Sequence, residues 1–322
     1  MSLNGKTWKR VGLGAVALVS TAVLAACGGK SSSPSSKTDE INWYTPTEIS
    51  TLDISKVTDS YSSIAIGNSG SNLLRRNEDG ELKPDLAEKV EVSEDGLTYI
   101  ATLRDGLKWS DGSDLTADDF VYTWQRIVDP ATASEYAYLA SDAHVLNAAE
   151  VINGTKSVDE LGVKADGNKV IFTLSSPSPQ FMSLLTFANF VPQNKAFVEK
   201  AGSDYATTSE KALYSGPYTV KNWNGSNGSF TLVKNKYYWD AKNVKLKKVN
   251  VQAVKKPDTA VQMYKDGELD TANISGTEAI YKANKSNKDV VDAPEATSAY
   301  LVYNETGSVK ALANTKIRQA LN

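Results

Sequence analysis

The stretch from Leu86 to Tyr136 constrains the fold more tightly than any other part of the chain. Two short β-branched or alternating runs, Val90 to Val92 and Leu97 to Leu103, flank Asp95-Gly96, a dipeptide that tolerates the positive φ of a tight hairpin. A second Asp-Gly pair, Asp111-Gly112, closes the segment that carries Trp109. Thr116 and Asp119, three residues apart, form an N-terminal capping pattern, and Phe120, Val121, Trp124, Ile127 and Val128 then fall on one helix face. Pro130 ends that helix. Periodicity here predicts a hairpin followed by a core helix of an α/β domain.

The rest of the chain continues in that style. A strand opens at Ile41 to Tyr44, and a short helix is expected up to Asn68. Ala-rich sequence from Asp142 to Ile152 predicts a helix containing His144, the one histidine, with no carboxylate or nucleophile indicated beside it. A second hairpin, Gly162 to Ala165 and Lys169 to Leu174, turns at Asp166-Gly167-Asn168. Ser175-Ser176-Pro177-Ser178-Pro179 breaks the pattern and suits a crossing between lobes. Helical segments around Phe181 and from Asn194 to Ala201 lead to Gly216-Pro217-Tyr218-Thr219-Val220, and strands follow at Phe230 to Lys234 and Val249 to Val254. Pro257 opens a helix that Gly267 ends, and the chain stops at Arg318 to Asn322 within a further expected helix. Strands alternating with helices give an α/β class.

Charge and cysteine usage narrow the chemistry. The 322 residues carry 35 basic and 38 acidic side chains, a net charge of -3; removing the N-terminal Lys6, Lys9 and Arg10 leaves 32 against 38, or -6. Such a chain has no electrostatic reason to bind nucleic acid, and Lys245, Lys247 and Lys248 read as a solvated face. Cys27 is the sole cysteine, which excludes an intrachain disulfide and a thiolate metal cluster. Its setting is informative. Lys6, Lys9 and Arg10 form a positive n-region, and Val11 to Val23 is apolar but short for a membrane span, which needs about 20 residues. Leu24-Ala25-Ala26-Cys27-Gly28 is similar to a lipobox, which implies a diacylglyceryl-modified Cys27 as first mature residue; an uncleaved signal anchor is the alternative. The serine-dominated stretch that follows reads as a tether.

The Leu86 to Tyr136 wording, with Ser215-Gly216-Pro217-Tyr218, Tyr237-Tyr238-Trp239, Met263 to Asp270 and Ile317-Arg318-Gln319-Ala320-Leu321, resembles the extracellular solute-binding proteins of oligopeptide and dipeptide ABC importers, including the oligopeptide-binding lipoproteins of Gram-positive bacteria. The resemblance runs from Ile41 onward. It implies a periplasmic-binding-protein-like fold of type II, peptide-binding subclass, with two lobes and a third domain mostly missing. The boundaries it implies are a signal peptide at 1–27, a tether at 28–39, domain I at 40–72 and 180–297, domain II at 73–179, and the start of domain III at 298–322. It also implies a lipid-anchored monomer on the outer face of the cytoplasmic membrane. Such a protein captures an oligopeptide for permease and ATPase subunits and needs no cofactor.

Candidate ligand residues follow from that resemblance. Thr58 and Ser60, beyond Thr51-Leu52-Asp53, fall in a loop that contacts ligand backbone in the family; a plain Asp/Ser helix cap is the alternative. Tyr136 keeps the family's spacing from Asp129-Pro130 and either lines the cleft or packs with its hydroxyl solvated. Asn273 and Ser275 follow the Gly-Glu-Leu-Asp pattern, and Tyr300 lies in Thr297 to Asn304, expected as a strand, facing either the cleft or the core. Tyr237-Tyr238-Trp239 is scaffold in the family. Family members continue well past Asn322, so this chain is expected to be a fragment, a split or frameshifted product or a truncated record, to leave apolar surface uncovered and bind ligand weakly or not at all by itself, and to lack the acidic anchor for a peptide's amino terminus. A surface peptide (pheromone) receptor on the same fold is the nearest alternative. A secreted hydrolase would need a Gly-x-Ser-x-Gly elbow or a His-Glu-x-x-His motif, and neither occurs.

Overall fold

The computed structural model describes residues 39–275, 277–292, 298 and 300–321. One compact unit runs to Asn273 and a second starts at Ile274. In chain order the first holds β1 (Glu40–Thr45), α1 (Ser60–Ser69), β2 (Leu74–Arg76), β3 (Leu82–Pro84), β4 (Ala87–Val92) and β5 (Thr98–Leu103). Then come α2 (Ala117–Val128), α3 (Tyr138–Asp142), α4 (Ala148–Ile152), β6 (Val163–Asp166), β7 (Lys169–Thr173), α5 (Phe181–Leu184) and α6 (Lys195–Ala201). It closes with β8 (Tyr218–Lys221), β9 (Ser229–Lys234), β10 (Lys248–Ala253) and α7 (Pro257–Lys265).

Both Asp-Gly hairpins form as the sequence predicts. β4 pairs antiparallel with β5 around Gly96, whose φ of +69° needs no Cβ penalty, and β6 pairs with β7 around Gly167. The resulting sheet has the order β4-β5-β7-β6. α2 covers it with the expected apolar stripe: Phe120, Trp124, Ile127 and Val128 are buried. Trp124 stacks on Phe190 at 4.1 Å and meets Phe172 edge-on at 5.2 Å. A second sheet, β1-β10-β9-β8, is mixed, since β1 runs parallel to β10. Its inward residues Val220, Phe230, Leu232, Val249 and Val251 join Leu52, Val57, Ile66 and Trp223 in a separate core.

Two expectations need correction. The helix predicted across Asp142 to Ile152 is two short ones, broken where His144 and Asn147 take φ of 62° and 64°. Tertiary pairing outcompetes helix propensity there: Val145 bridges Leu174, the Leu146 amide donates to Thr173 O, and Leu146 O accepts from Gly162. In the second unit, which holds α8 (Glu278–Asn284) and α9 (Thr315–Leu321), residues 300–304 are not a strand. A strand needs a neighbour for its N–H and C=O groups, and no strand exists among the described residues of that unit. Tyr300 is therefore 80% exposed rather than core-facing.

Two motif segments have plain structural reasons. Asp85 is buried, accepts from the Tyr238 hydroxyl at 3.2 Å and from Trp239 Nε1 at 2.9 Å, and Arg104 stacks on the Trp239 ring at 3.8 Å. The aromatic run is scaffold. Gly216 sits where a Cβ would lie 2.7 Å from the backbone of Ser69 and Gly70, while Ser215 Oγ accepts from the Ser71 amide. Neither backbone can yield cheaply, so Gly216→Ala is expected to lower stability by about 1–3 kcal/mol, read as a lower urea midpoint with unchanged slope.

Asp119 yields a pH prediction. Its Oδ2 accepts from the Thr116 amide at 2.8 Å and from Trp109 Nε1 at 3.2 Å, yet burial pushes its carboxyl up to about 6. A raised carboxyl means the folded state holds the proton more tightly than the unfolded chain. The group's contribution is therefore full below about 4 and falls as pH rises to about 6. In Asp119→Asn, which keeps an acceptor at this position, the fall of roughly 2–3 kcal/mol across that window should vanish relative to wild type in denaturation at a series of pH values.

Candidate functional site

The loop after β1 is held by a buried polar brace. α2 carries, beside its apolar stripe, a second line at i, i+4 and i+7: Asp119, Thr123 and Arg126. Thr123 Oγ1 reaches Val191 O at 3.1 Å, and the Gln193 amide reaches Asp119 O at 3.4 Å. Arg126 forks onto Asp53, Nη1 to Oδ1 at 2.6 Å and Nη2 to Oδ2 at 2.8 Å, and also donates to Gln193 Oε1 at 2.7 Å. The side chains of Arg126 and Asp53 are only 14% and 8% exposed. Gln193 Nε2 continues to Ser55 Oγ, and the Ser55 amide donates back to Asp53 Oδ1. Burial works against the Arg126 proton, but the hydrogen bond and charge of Asp53 outweigh it, so the guanidinium is held above its usual range. Tyr205, 5.2 Å from its Cζ, covers the fork.

Asn189 completes the brace by donating to both Ile54 O and Val57 O, at 2.9 and 3.0 Å. Residues 53–57 are thus pinned from behind by α2 and by residues 189–193. Beyond them, Asp59 caps α1, accepting from the Tyr61 and Ser62 amides and from Ser50 Oγ. Burial raises its carboxyl, but the Ser50 and Ser62 hydrogen bonds prevail and hold it below the usual range. Because Asp59 does the capping, Thr58 and Ser60 stand exposed on either side of it.

The other candidates lie elsewhere. Tyr136 is half-buried against Phe187, edge-on at 5.6 Å, and stacks with Tyr138 at 6.2 Å; Phe187 and Tyr138 are themselves 38% and 51% exposed. Asn273 is exposed at the end of the first unit, its amide donating to Tyr44 Oη at 2.9 Å. Ser275 and Tyr300 are exposed in the second unit. The structure brings Thr58 and Ser60 together. Cys27 lies outside the described residues. Within the first unit these residues offer hydroxyls, an amide side chain and an aromatic face, the chemistry of hydrogen-bonded and stacked recognition.

Comparison with known proteins places the architecture. The profile of the bacterial extracellular solute-binding proteins, family 5 (middle), matches residues 81–322. The chain belongs to that family. A dipeptide-binding protein of Lactococcus lactis subsp. cremoris is 40% identical over 328 residues, covering 98% of this chain and 58% of that protein. The structure of Listeria monocytogenes OppA bound to peptide is 36% identical with a TM-score of 0.76, covering 79% of this chain and 50% of that one. The pheromone receptor PrgZ is 33% identical with a TM-score of 0.83, covering 88% of this chain and 56% of its own. The chain thus spans 50–58% of the length of these relatives. Its fold is the mixed α/β fold of the family 5 peptide-binding proteins.

Within this family 5 chain, the residues that hold the candidate loop are not those singled out from sequence. Asp53, Arg126, Asn189 and Gln193 were invisible as a set because up to 140 or so positions separate them, though the Asp119/Thr123/Arg126 spacing was a usable signal. Arg126→Met is expected to cost about 3–5 kcal/mol, because it strands a buried carboxylate. Arg126→Met with Asp53→Asn should regain part of that loss, and a double-mutant cycle in guanidinium reads the coupling.

Proposed function

We propose that this chain belongs to the binding component of an ABC importer and captures oligopeptides outside the cell for delivery to a membrane permease. The supporting observation is the brace itself: in a family 5 protein, related to proteins named for dipeptide and oligopeptide binding, buried charges hold the loop that leads into the exposed Thr58 and Ser60. Rigid presentation lowers the ordering cost of binding. Thr58, Ser60 and Asn273 would supply hydrogen bonds to peptide backbone, Tyr136 an aromatic wall, and Ser275 and Tyr300 contacts from the second unit. Lobes at 40–72 with 180–297 and at 73–179, with a third domain from 298, would close on an extended peptide by hinge motion, with water filling tolerant side-chain pockets. Cys27 would carry the lipid that keeps the protein, a monomer, at the membrane surface.

A receptor for a single signalling peptide is the second reading, favoured by the likeness to PrgZ. Native mass spectrometry of the protein released from its host membrane distinguishes them. A mixture of retained masses that fragment as peptides supports import, one dominant peptide supports the receptor, and a non-peptide ligand overturns both. Tyr136→Ala should lower peptide occupancy several-fold without changing the unfolding midpoint by more than the loss of one half-buried ring. Cys27→Ser should release the protein from the membrane fraction.

A further inference from the structure

The segment Lys234 to Lys248 holds six lysines and one acid, Asp240. The structure folds it back on the first described residue. The Lys234 amide donates to Lys247 O at 2.9 Å, Lys234 Nζ to Val244 O at 2.9 Å, and the Lys247 and Lys248 amides both donate to Asp39 O, at 2.7 and 3.2 Å. Lys236, Lys242, Lys245 and Lys247 are exposed. Lys247 pairs with Asp39 at 2.7 Å and Lys248 approaches Glu40 at 3.9 Å, both solvent-facing pairs that exchange easily. Lys236 lies over the Tyr237 ring at 4.7 Å, and Lys242 and Lys245 have no carboxylate partner among the described residues. With Asp39, Glu40 and Asp240 as the acids, six lysines against three leave the segment and the two residues joined to it at +3 on a chain of net charge -3, and four of the six lysines are exposed.

We propose that this lysine face rests on an anionic phospholipid surface and orients the molecule on it. The inference rests on the reading of Cys27 as a lipid anchor. Position and sign together carry it. Residue 39 is hydrogen-bonded to the lysine segment, and residues 28–38 can extend no more than about 40 Å, so in an anchored chain this segment is the part of the folded body tied directly to the tether and can be brought against the bilayer. Attraction between lysines and anionic headgroups fades within about 10 Å at 0.1 M salt, so it acts only on a face already held close. The rest of the protein is net negative and is repelled. Retention comes from the acyl chains, and the lysines select which way the body turns.

The test places the lipidated protein in vesicles of phosphatidylcholine, with or without 30% phosphatidylglycerol, and follows lysine acetylation by mass spectrometry. Lys236, Lys242, Lys245 and Lys247 should label at least ~3-fold more slowly on the anionic vesicles, with Lys169 and Lys195 unchanged and the protection lost in 1 M salt. In Lys236→Gln/Lys242→Gln/Lys245→Gln, Lys247 should label equally on both. Equal rates for wild type, or equal protection of Lys169 and Lys195, would overturn the proposal. Flotation with phosphatidylcholine vesicles tests the anchor separately: a chain that fails to float overturns the anchor reading and this proposal with it, whereas a chain that floats and labels equally on both vesicles overturns the lysine face alone.

Discussion

The Arg126–Asp53 fork is the interaction on which the first unit depends. Each ion is nearly removed from water, which costs several kcal/mol per charge, and that cost is recovered only if geometry and remaining hydrogen-bond capacity are both satisfied. They are: two parallel donors meet two acceptor oxygens, Gln193 takes a further guanidinium proton, and the Ser55 amide takes a further carboxylate lone pair. A structure that must satisfy so many groups at once has few alternatives. The loop from Asp53 to Val57 and the segment from Asn189 to Gln193 are fixed relative to α2, and through α2 to the first sheet.

The fork also lies where the two large cores meet. α2 buries its apolar stripe in the core around Trp124 and Phe172, while the loop carrying Asp53 packs Leu52, Ile54 and Val57 into the core around Trp223 and Val251. Apolar packing alone is tolerant of sliding; a bidentate ion pair is not. Thr58 and Ser60 inherit this order, since Asp59 locks the next turn of chain through its own cap.

Local chemistry explains which parts were legible in the sequence. Asp95-Gly96 and Asp166-Gly167 announced their hairpins because positive φ is cheap for glycine, and the α2 stripe announced itself through its period and through Thr116 and Asp119. The break at His144 was hidden, because nothing nearby in sequence reports that the Leu146 amide will find Thr173 O. Residues 300–304 misled for the converse reason: β-prone residues make a strand only when a partner strand is present. The fork joins positions 73 apart, and its helix-side spacing is visible while its partner is not. Family wording supplied the candidate loop; physics supplied why that loop stands still.

Native-state hydrogen exchange measures this stillness directly. The Ser55 amide bonds to the Asp53 carboxylate and the Val57 amide to Asp53 O, so both report on the braced loop. If the fork ties loop and cores into one cooperative unit, both amides should open with free energies within about 1 kcal/mol of those in β5 and β10. Ser55 and Val57 exchanging through an opening several kcal/mol cheaper, while β5 and β10 stay protected, would show that the loop moves independently and that the brace does not hold it.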